Sequence, residues 1–428
     1  MLTLDNTEPA VRRAIKTAGI GKKGSRPLSP GLIEELLTDL KAHRVSPLCQ
    51  GALFGALVMK GVTDAETKLD EAFPSKILHD PERLIDYLCQ ETPDVIKEYC
   101  VRLLRGETLD KPTAYCLGKF LFSASNKASP MQIGHESGDA ARGLSASVLR
   151  VRYETIDEYE GLLQSMQETI TSPFQKEIPA GDPIIQLAEP FDGVDQSNMI
   201  TPLVASYLQN LNYRVVSLVG RNSGPKFGNN LLSVAREIHG QFLKNNLDLD
   251  VAKPRFGWYL NQEDLSRPID HWVDRRKQII KRPFLATLER FLNPVQAQIV
   301  VASAFHPPYG EKMMAVAERA GFAGVIIVRN GIEGTMAFAL KRPVKILCSV
   351  RGKDQTYRHH EIEFQPEQYL GKTFDVEEKI FLPSLQENAR LINLYDKEGK
   401  TANDLFDTRV RATCEGLRQA VEWIKSHK

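Results

Sequence analysis

The sequence predicts a two-part α/β protein: an all-helical N-terminal domain, then a mostly parallel α/β domain with helices on both faces. Three observations carry this. Up to about Thr171, apolar residues recur at helical spacing. From about Asp182, short β-branched apolar runs alternate with helix-length segments. The chain has 428 residues, 42% apolar and 25% charged, which suits two or three ordinary folding units. We place the helical domain at 1–178 and the α/β domain at 179–428, with 263–292 as a hinge returning toward the helical domain.

In the N-terminal part, Ser29-Pro30 opens a helix as N-cap and first-turn proline, with Leu32, Ile33, Leu36, Leu37 and Leu40 on its apolar face. Gln50–Met59 is almost wholly apolar and too rich in Ala and Gly for a strand. It reads as a buried helix whose Gly51 and Gly55, four apart, let another helix come close. A helix ends at Tyr99–Gly106, and Thr113–Ser123 repeats the apolar character. A Gly/Ser/Ala/His stretch, Asn126–Ser147, then precedes helices at Ser147–Arg152 and Ile156–Ile170. A loose match between the segments from Gly51 and from Ala146 suggests a duplicated helical unit.

In the second part, strands are expected at Ile184–Ala188, Arg214–Val219, Ile299–Ala304, Val325–Arg329 and Val344–Val350. Helices are expected at Thr201–Leu211, Asn230–Phe242 and Tyr309–Ala320, with a helical, basic middle piece at Glu263–Phe291. Asn403–Lys428 closes the chain as an amphipathic helix, with Leu417, Val421 and Ile424 on one face.

The formal net charge of +1 supplies no global field toward nucleic acid or an anionic membrane, though a local basic face is compatible with it. The six cysteines form no C-x-x-C pair and lie in apolar contexts, so buried, reduced thiols are expected. The N-terminus lacks an apolar core of signal-peptide length, and no run of about 18 apolar residues occurs. A cytoplasmic protein without membrane association is the expectation.

Ligands of such a sheet bind beyond the carboxyl ends of its strands. Three loops fall there. Glu189–Thr201 leads into a helix, whose free N–H groups and dipole suit a phosphate. Val219–Gly228 carries three glycines and two cations, Arg221 and Lys226. Val328–Thr335 is the third. His306 at a helix entry reads as structural, and His359-His360 as surface. No Walker loop, G-x-G-x-x-G or Ser-His-Asp arrangement is present, which removes the common NTPase, dinucleotide and hydrolase readings.

The residues in these loops resemble the anthranilate phosphoribosyltransferase family, and more closely its divergent second branch. That family's G-T-G-G-D-G loop corresponds to Ala188-Glu-Pro-Phe-Asp-Gly193, its N-I-S-T helix start to Asn198-Met-Ile-Thr201, and its K-H-G-N loop to Leu218-Val-Gly-Arg221. The segment R-T-x-F-N-x-x-G-P-L-x-N-P aligns without gaps on Arg282–Pro294. The H-G-x-D-G-L-D-E segment falls on Arg329-Asn-Gly-Ile-Glu-Gly-Thr-Met-Ala337 with one extra residue, and Ala18–Ser29 is similar to the G-R-G-K-x-G-A-R-D-L-S start of the second branch. The resemblance covers most of the chain apart from roughly a hundred extra helical residues.

The resemblance implies a homodimer and a phosphorylated ribosyl or other anionic ligand in an interdomain cleft. The positions it carries over as ligand-binding are Asp192, Gly193, Asn198, Thr201, Gly220, Arg282 and Glu333, to which the loop reading adds Arg221, Lys226 and Arg329. For most of these a plainer role stays open: Asp192, Asn198 and Thr201 as caps, Lys226 as a solvated lysine, Arg282 as part of a salt-bridged basic helix, Glu333 as a loop carboxylate. No catalytic residue is assigned. In the family an Asp-Glu pair holds Mg²⁺; the aligned pair here is Met336-Ala337, and the phosphate-gripping lysine is Leu218. Without such ligands, transfer from a pyrophosphate donor forfeits several kcal/mol of charge stabilisation. Two readings follow. One is a glycosyltransferase-type protein, a pentosyltransferase if it is an enzyme. The other is a non-catalytic, nucleic-acid-binding paralogue using the basic stretches Lys22-Lys23-Arg26 and Arg275–Arg282.

Overall fold

The structure, a computed structural model, describes residues 9–21, 23–123, 134–224, 226, 228–250, 252–280, 283–305, 307–374 and 383–428. Of the residues singled out above, Lys22, Lys281, Arg282 and His306 lie outside them. The chain forms two compact units: Met1–Met166 with His271–Ala286, and Gln167–Asp270 with Thr287–Lys428.

The first unit is helical. Its elements are α1 (Ala10–Ala18), α2 (Pro30–Lys41), α3 (Pro47–Lys60), α4 (Pro81–Leu88), α5 (Asp94–Leu104), α6 (Lys111–Leu121), α7 (Asp139–Arg152) and α8 (Ile156–Gln167). Ser29 caps α2 by accepting from the Leu32 N–H, and the five apolar residues expected on its face are all buried. The helix α7 begins eight residues earlier than the sequence suggested. Its Ala140-Ala141-Arg142-Gly143 start looks loop-like, but small residues are what its packing on α3 demands. A Cβ on Gly51 would lie 1.9 Å from the Ala140 carbonyl oxygen, and one on Gly143 would lie 2.0 Å from that of Leu48.

The second unit is built on one eight-stranded sheet. Its strands are β1 (Ile184–Ala188), β2 (Arg214–Val219), β3 (Gln241–Phe242), β4 (Trp258–Asn261), β5 (Ile299–Ala304), β6 (Gly324–Arg329), β7 (Val344–Arg351) and β8 (Tyr357–Phe364). The order is β3-β4-β2-β1-β5-β6-β7-β8, parallel as far as β6, with β7 and β8 antiparallel at one edge. The remaining helices are α9 (Thr201–Asn210), α10 (Leu231–Glu237), α11 (Gln262–Leu265), α12 (Arg267–Ile279), α13 (Leu285–Leu288), α14 (Pro307–Arg319), α15 (Pro366–Leu370), α16 (Leu385–Glu398) and α17 (Asp404–His427).

Alternation along the strands puts helices on both faces. Ile185, Leu187, Val215, Val219, Ile346 and Cys348 share one buried cluster with residues of α9, α10, α16 and α17. Ser349, between Cys348 and Val350 of that cluster, points the other way, and its Oγ donates to Glu318 of α14 at 2.5 Å. Both faces being covered explains why β1, β2 and β5 are buried throughout and read as continuous apolar runs.

Two expectations are corrected here. The helix expected to reach Phe242 stops at Glu237, because Gly240 lies against the Tyr259 ring (a Cβ there would sit 2.5 Å from it) and Gln241-Phe242 pair with β4 as an edge strand. Cys116 is exposed, whereas the other five cysteines are buried as expected. No helix among the described residues is long and apolar enough to cross a membrane.

The α3–α7 contact gives a direct test. Gly143→Ala should cost about 3 kcal/mol in urea unfolding, because its Cβ would strike backbone that cannot swing away. Gly31→Ala in α2, where a Cβ meets nothing within 4 Å, should be neutral or slightly stabilising in the same assay.

Candidate anion site at the carboxyl edge of the sheet

From β1 the chain crosses through α9 to β2 on one side, and from β5 through α14 to β6 on the other. The neighbouring carboxyl ends of β1 and β5 therefore form a topological switch point, where α/β sheets bind ligands. The loops after β1, β2 and β6 meet there.

Glu333, in the loop after β6, is the residue around which they gather. Its carboxylate accepts from the Asp195 N–H at 2.8 Å, the Gln196 N–H at 2.9 Å and the Ser197 hydroxyl at 2.8 Å. Lys226, from the loop after β2, donates to the same carboxylate at 3.0 Å and to the Glu333 carbonyl at 3.1 Å. Burial by itself raises the pKa of Glu333, but the four donors outweigh it and hold the carboxyl below its ordinary value. The price of this placement is local: Glu333 sits at φ +52°, a left-handed conformation costing a non-glycine residue roughly 1–2 kcal/mol.

A second carboxylate lies deeper. Glu189, directly after β1 and 1% exposed, accepts from the Thr201 hydroxyl at 2.8 Å and from the Met336 N–H at 3.1 Å on each oxygen. Burial pushes its pKa up to about 7, against the lowering effect of Thr201, the Met336 N–H and the charge of Arg290. In the sequence, Glu189 stands out only as bulk and charge added to a glycine-rich loop. Its partners are distant in the chain, so nothing local marks it.

The other candidates are placed as follows. Asp192 is buried, and its carbonyl accepts from Asn222 Nδ2 at 3.3 Å. Gly193 has φ +70°, and a Cβ on it would lie 2.5 Å from the Asn229 carbonyl, so the turn requires glycine. Asn198 is buried, and neither it nor Thr201 caps α9, whose N-cap is Ile200 without a side-chain bond. The Gly220 carbonyl accepts from Asn230 Nδ2 at 2.8 Å, and Phe191 packs its ring against Gly220, 2.6 Å from where a Cβ would be.

Two cations do not join this gathering. Arg221 grips the Asp270 carboxylate through Nε at 3.0 and 3.1 Å and Nη2 at 2.8 Å. Arg329 at the end of β6 pairs with Glu361 of β8 at 3.6 Å. In the helical unit, Arg275 and Arg276 are each 3% exposed, and Arg275 bonds Asp139 at 3.0 Å and Glu136 at 2.5 Å. These two arginines are held in the interior instead of forming an open basic face.

This architecture is the anthranilate phosphoribosyltransferase-type fold. An anthranilate phosphoribosyltransferase from Thermus thermophilus superimposes with a TM-score of 0.54 at 18% identity, covering 77% of this chain and 90% of that one. The enzyme from Saccharomyces cerevisiae in complex with PRPP and Mg gives 0.57 at 15% identity, covering 79% and 95%. The resemblance read from the loop motifs is thus also a resemblance of fold. By sequence, the chain is 25% identical over 208 residues to an uncharacterized protein of Aquifex aeolicus (strain VF5), and 24% identical over 250 residues to an anthranilate phosphoribosyltransferase of Geobacillus stearothermophilus. These matches span 60% and 66% of the relatives' own length, and 49% and 56% of this chain. No family model matches the sequence.

The side chains of Met336 and Ala337 do not fit an Mg²⁺ such as the Saccharomyces cerevisiae enzyme carries. Met336 and Ala337 are buried and apolar, while a hard cation needs oxygen ligands. The nearby carboxylates of Glu189 and Glu333 already accept the bonds described above. Among the described residues, no group of three or more His, Cys, Asp or Glu side chains gathers to hold a metal ion.

Glu189 makes stability depend on pH in a stated direction. Its folded pKa, about 7, lies above the ordinary 4.5, so its contribution is present below about pH 4.5 and is lost as pH rises toward and through 7. A shift of this size corresponds to roughly 3 kcal/mol. Glu189→Gln should flatten the decline between pH 5 and 8 relative to the parent, measured by urea midpoints at each pH; parallel curves would contradict the assignment.

Proposed function

We propose that the carboxyl edge of the α/β unit binds a phosphate-bearing ligand of the ribosyl type, whose phosphate takes the place of the Glu333 carboxylate. One observation carries this reading. Two backbone N–H groups, a hydroxyl and a lysine converge on a single oxyanion at the sheet's switch point. Carboxylate and phosphate oxygens accept the same charge-assisted bonds, so a cradle that fits one is chemically suited to the other. Fold relatives of this chain include an enzyme in complex with PRPP, which supports the ligand class.

In this reading Lys226 is the principal cation, and the N–H groups of Asp195 and Gln196 with the Ser197 hydroxyl fix the phosphate. Asp192 and Gly193 stand at the turn beside them. Arg221 and Arg329 have no part in it, being held by Asp270 and Glu361. A magnesium-pyrophosphate leaving group has no place either, because Met336 and Ala337 supply no ligand. The protein is therefore a pentosyltransferase-type scaffold kept for binding. Any group transfer it performs uses a leaving group stabilised by the cradle itself.

Removing the internal competitor is the decisive test. Glu333→Gly clears the cradle and suits the left-handed backbone, so ribose 5-phosphate should bind at least about tenfold more tightly than to the parent in calorimetry, equivalent to about 1.4 kcal/mol. Lys226→Gln in that background should remove the gain. No heat with ribose 5-phosphate or PRPP at millimolar concentration in either protein would end the proposal.

A further inference from the structure

We propose that the outer edge of β8 pairs with β8 of a second copy of this chain, antiparallel and centred on His360. All eight residues of β8 are in register with β7, its one strand neighbour among the described residues. Among those residues, no strand takes up the N–H and C=O groups on its other side. Proteins blunt such edges by shortness, bulges or proline. The opposite edge of the sheet follows that rule, since β3 has two residues. In contrast, β8 has eight residues, an unbroken register and no proline. What it carries instead is charge, and a pattern of charge selects its partner.

The register follows from the two faces of the strand. His359 pairs through Nε2 with Glu318 of α14 at 2.7 Å, while the His360 ring stacks on Trp423 of α17 with centroids 5.2 Å apart. Odd-numbered residues of β8 therefore face the α14 layer and even-numbered residues the α17 layer. A two-fold antiparallel pair keeps each layer on its own side only if opposite residues share a face, so its centre must fall on a residue. Centring on Arg358 or Glu361 sets that residue against its own copy, like charge on like. Centring on Ile362 sets Glu361 against Glu363 twice, and centring on His359 sets Arg358 against His360. Centring on His360 brings His359 opposite Glu361 twice and the Arg358 stem opposite Ile362 twice. That register satisfies the strand's own charges.

The groups that would meet have bonding capacity left. Glu318 engages Nε2 of His359, which leaves Nδ1 for the partner's Glu361. The Glu361 side chain, 38% exposed, bonds Lys345 at 2.6 Å and lies 3.6 Å from Arg329. A carboxylate has about four acceptor positions, so these cations do not exhaust it. On the other face, Ile362 and Trp423 are half-buried, and the second copy would cover them along the seam.

Disulfide trapping on the full chain tests the pairing. In a Cys116→Ser background, which removes the exposed thiol, His360→Cys should link two copies under oxidised glutathione. Residues opposite each other at the centre lie about 4.5–5.5 Å apart at Cα, within disulfide reach. Glu363→Cys, also exposed, is the control, because its two copies would lie roughly 20 Å apart and should stay unlinked. His359→Glu sets carboxylate against carboxylate and should slow the His360→Cys cross-link at least about tenfold; adding Glu361→Lys should restore it. Failure of His360→Cys to link, equal linking of Glu363→Cys, or a His359→Glu protein that links as fast as its parent would each overturn the pairing. A dimer in sedimentation whose His360→Cys form stays unlinked would also overturn it, placing the association on another surface.

Discussion

The loops at the carboxyl edge of the α/β sheet are tied together by two carboxylates that belong to the protein. Glu189 joins the end of β1 to the first residue of α9 and to the backbone at Met336, and Glu333 joins the loop after β6 to those after β1 and β2. Each links segments more than a hundred residues apart wherever it bridges between loops. Polar backbone at the end of a buried parallel sheet must find partners, and an unsatisfied buried N–H costs about 1–3 kcal/mol. These two side chains meet that need. They adopt different solutions. Glu333 keeps its charge by gathering four donors, whereas Glu189, with fewer, drifts toward the neutral form.

This constraint gives meaning to the changes in the loop after β1. A glycine-rich loop brings bare backbone N–H groups to a diphosphate. Here the corresponding positions hold Glu189, which turns inward, Pro190, which has no N–H, and Phe191, which fills the space over Gly220. The backbone donors that remain are a few residues further on, at Asp195 and Gln196, and they serve Glu333. The fold and its switch point match those of the solved neighbours, while this loop places its side chains and N–H groups in the arrangement just described. Met336 contributes its backbone N–H to Glu189, and the side chains of Met336 and Ala337 join the core.

Ion pairs elsewhere show why cationic residues in a sequence are poor guides to anion sites. Arg221 sits in a loop of suitable composition, but Asp270 is close enough to take its guanidinium through two nitrogens. Arg275 in the basic helix is buried against Asp139 and Glu136. A buried arginine without a carboxylate would be far costlier than the pair, so its partner is part of the fold and not an accident of the surface.

Local order was legible in the residues alone. Apolar periodicity and caps located α2 and α17, and β-branched runs located β1, β2, β5, β6 and β7 within a residue or so. These depend on neighbours in the chain and on which faces are buried, and both are written locally. The loop motifs also announced the fold. The start of α7 was hidden, because its small residues answer to α3 and not to one another. The same holds for the site. That Lys226 would meet Glu333, that Arg221 would be lost to Asp270, and that Glu189 would reach Met336 were decided by the tertiary structure alone. A side chain's charge says nothing about which distant loop will be folded within hydrogen-bond reach of it.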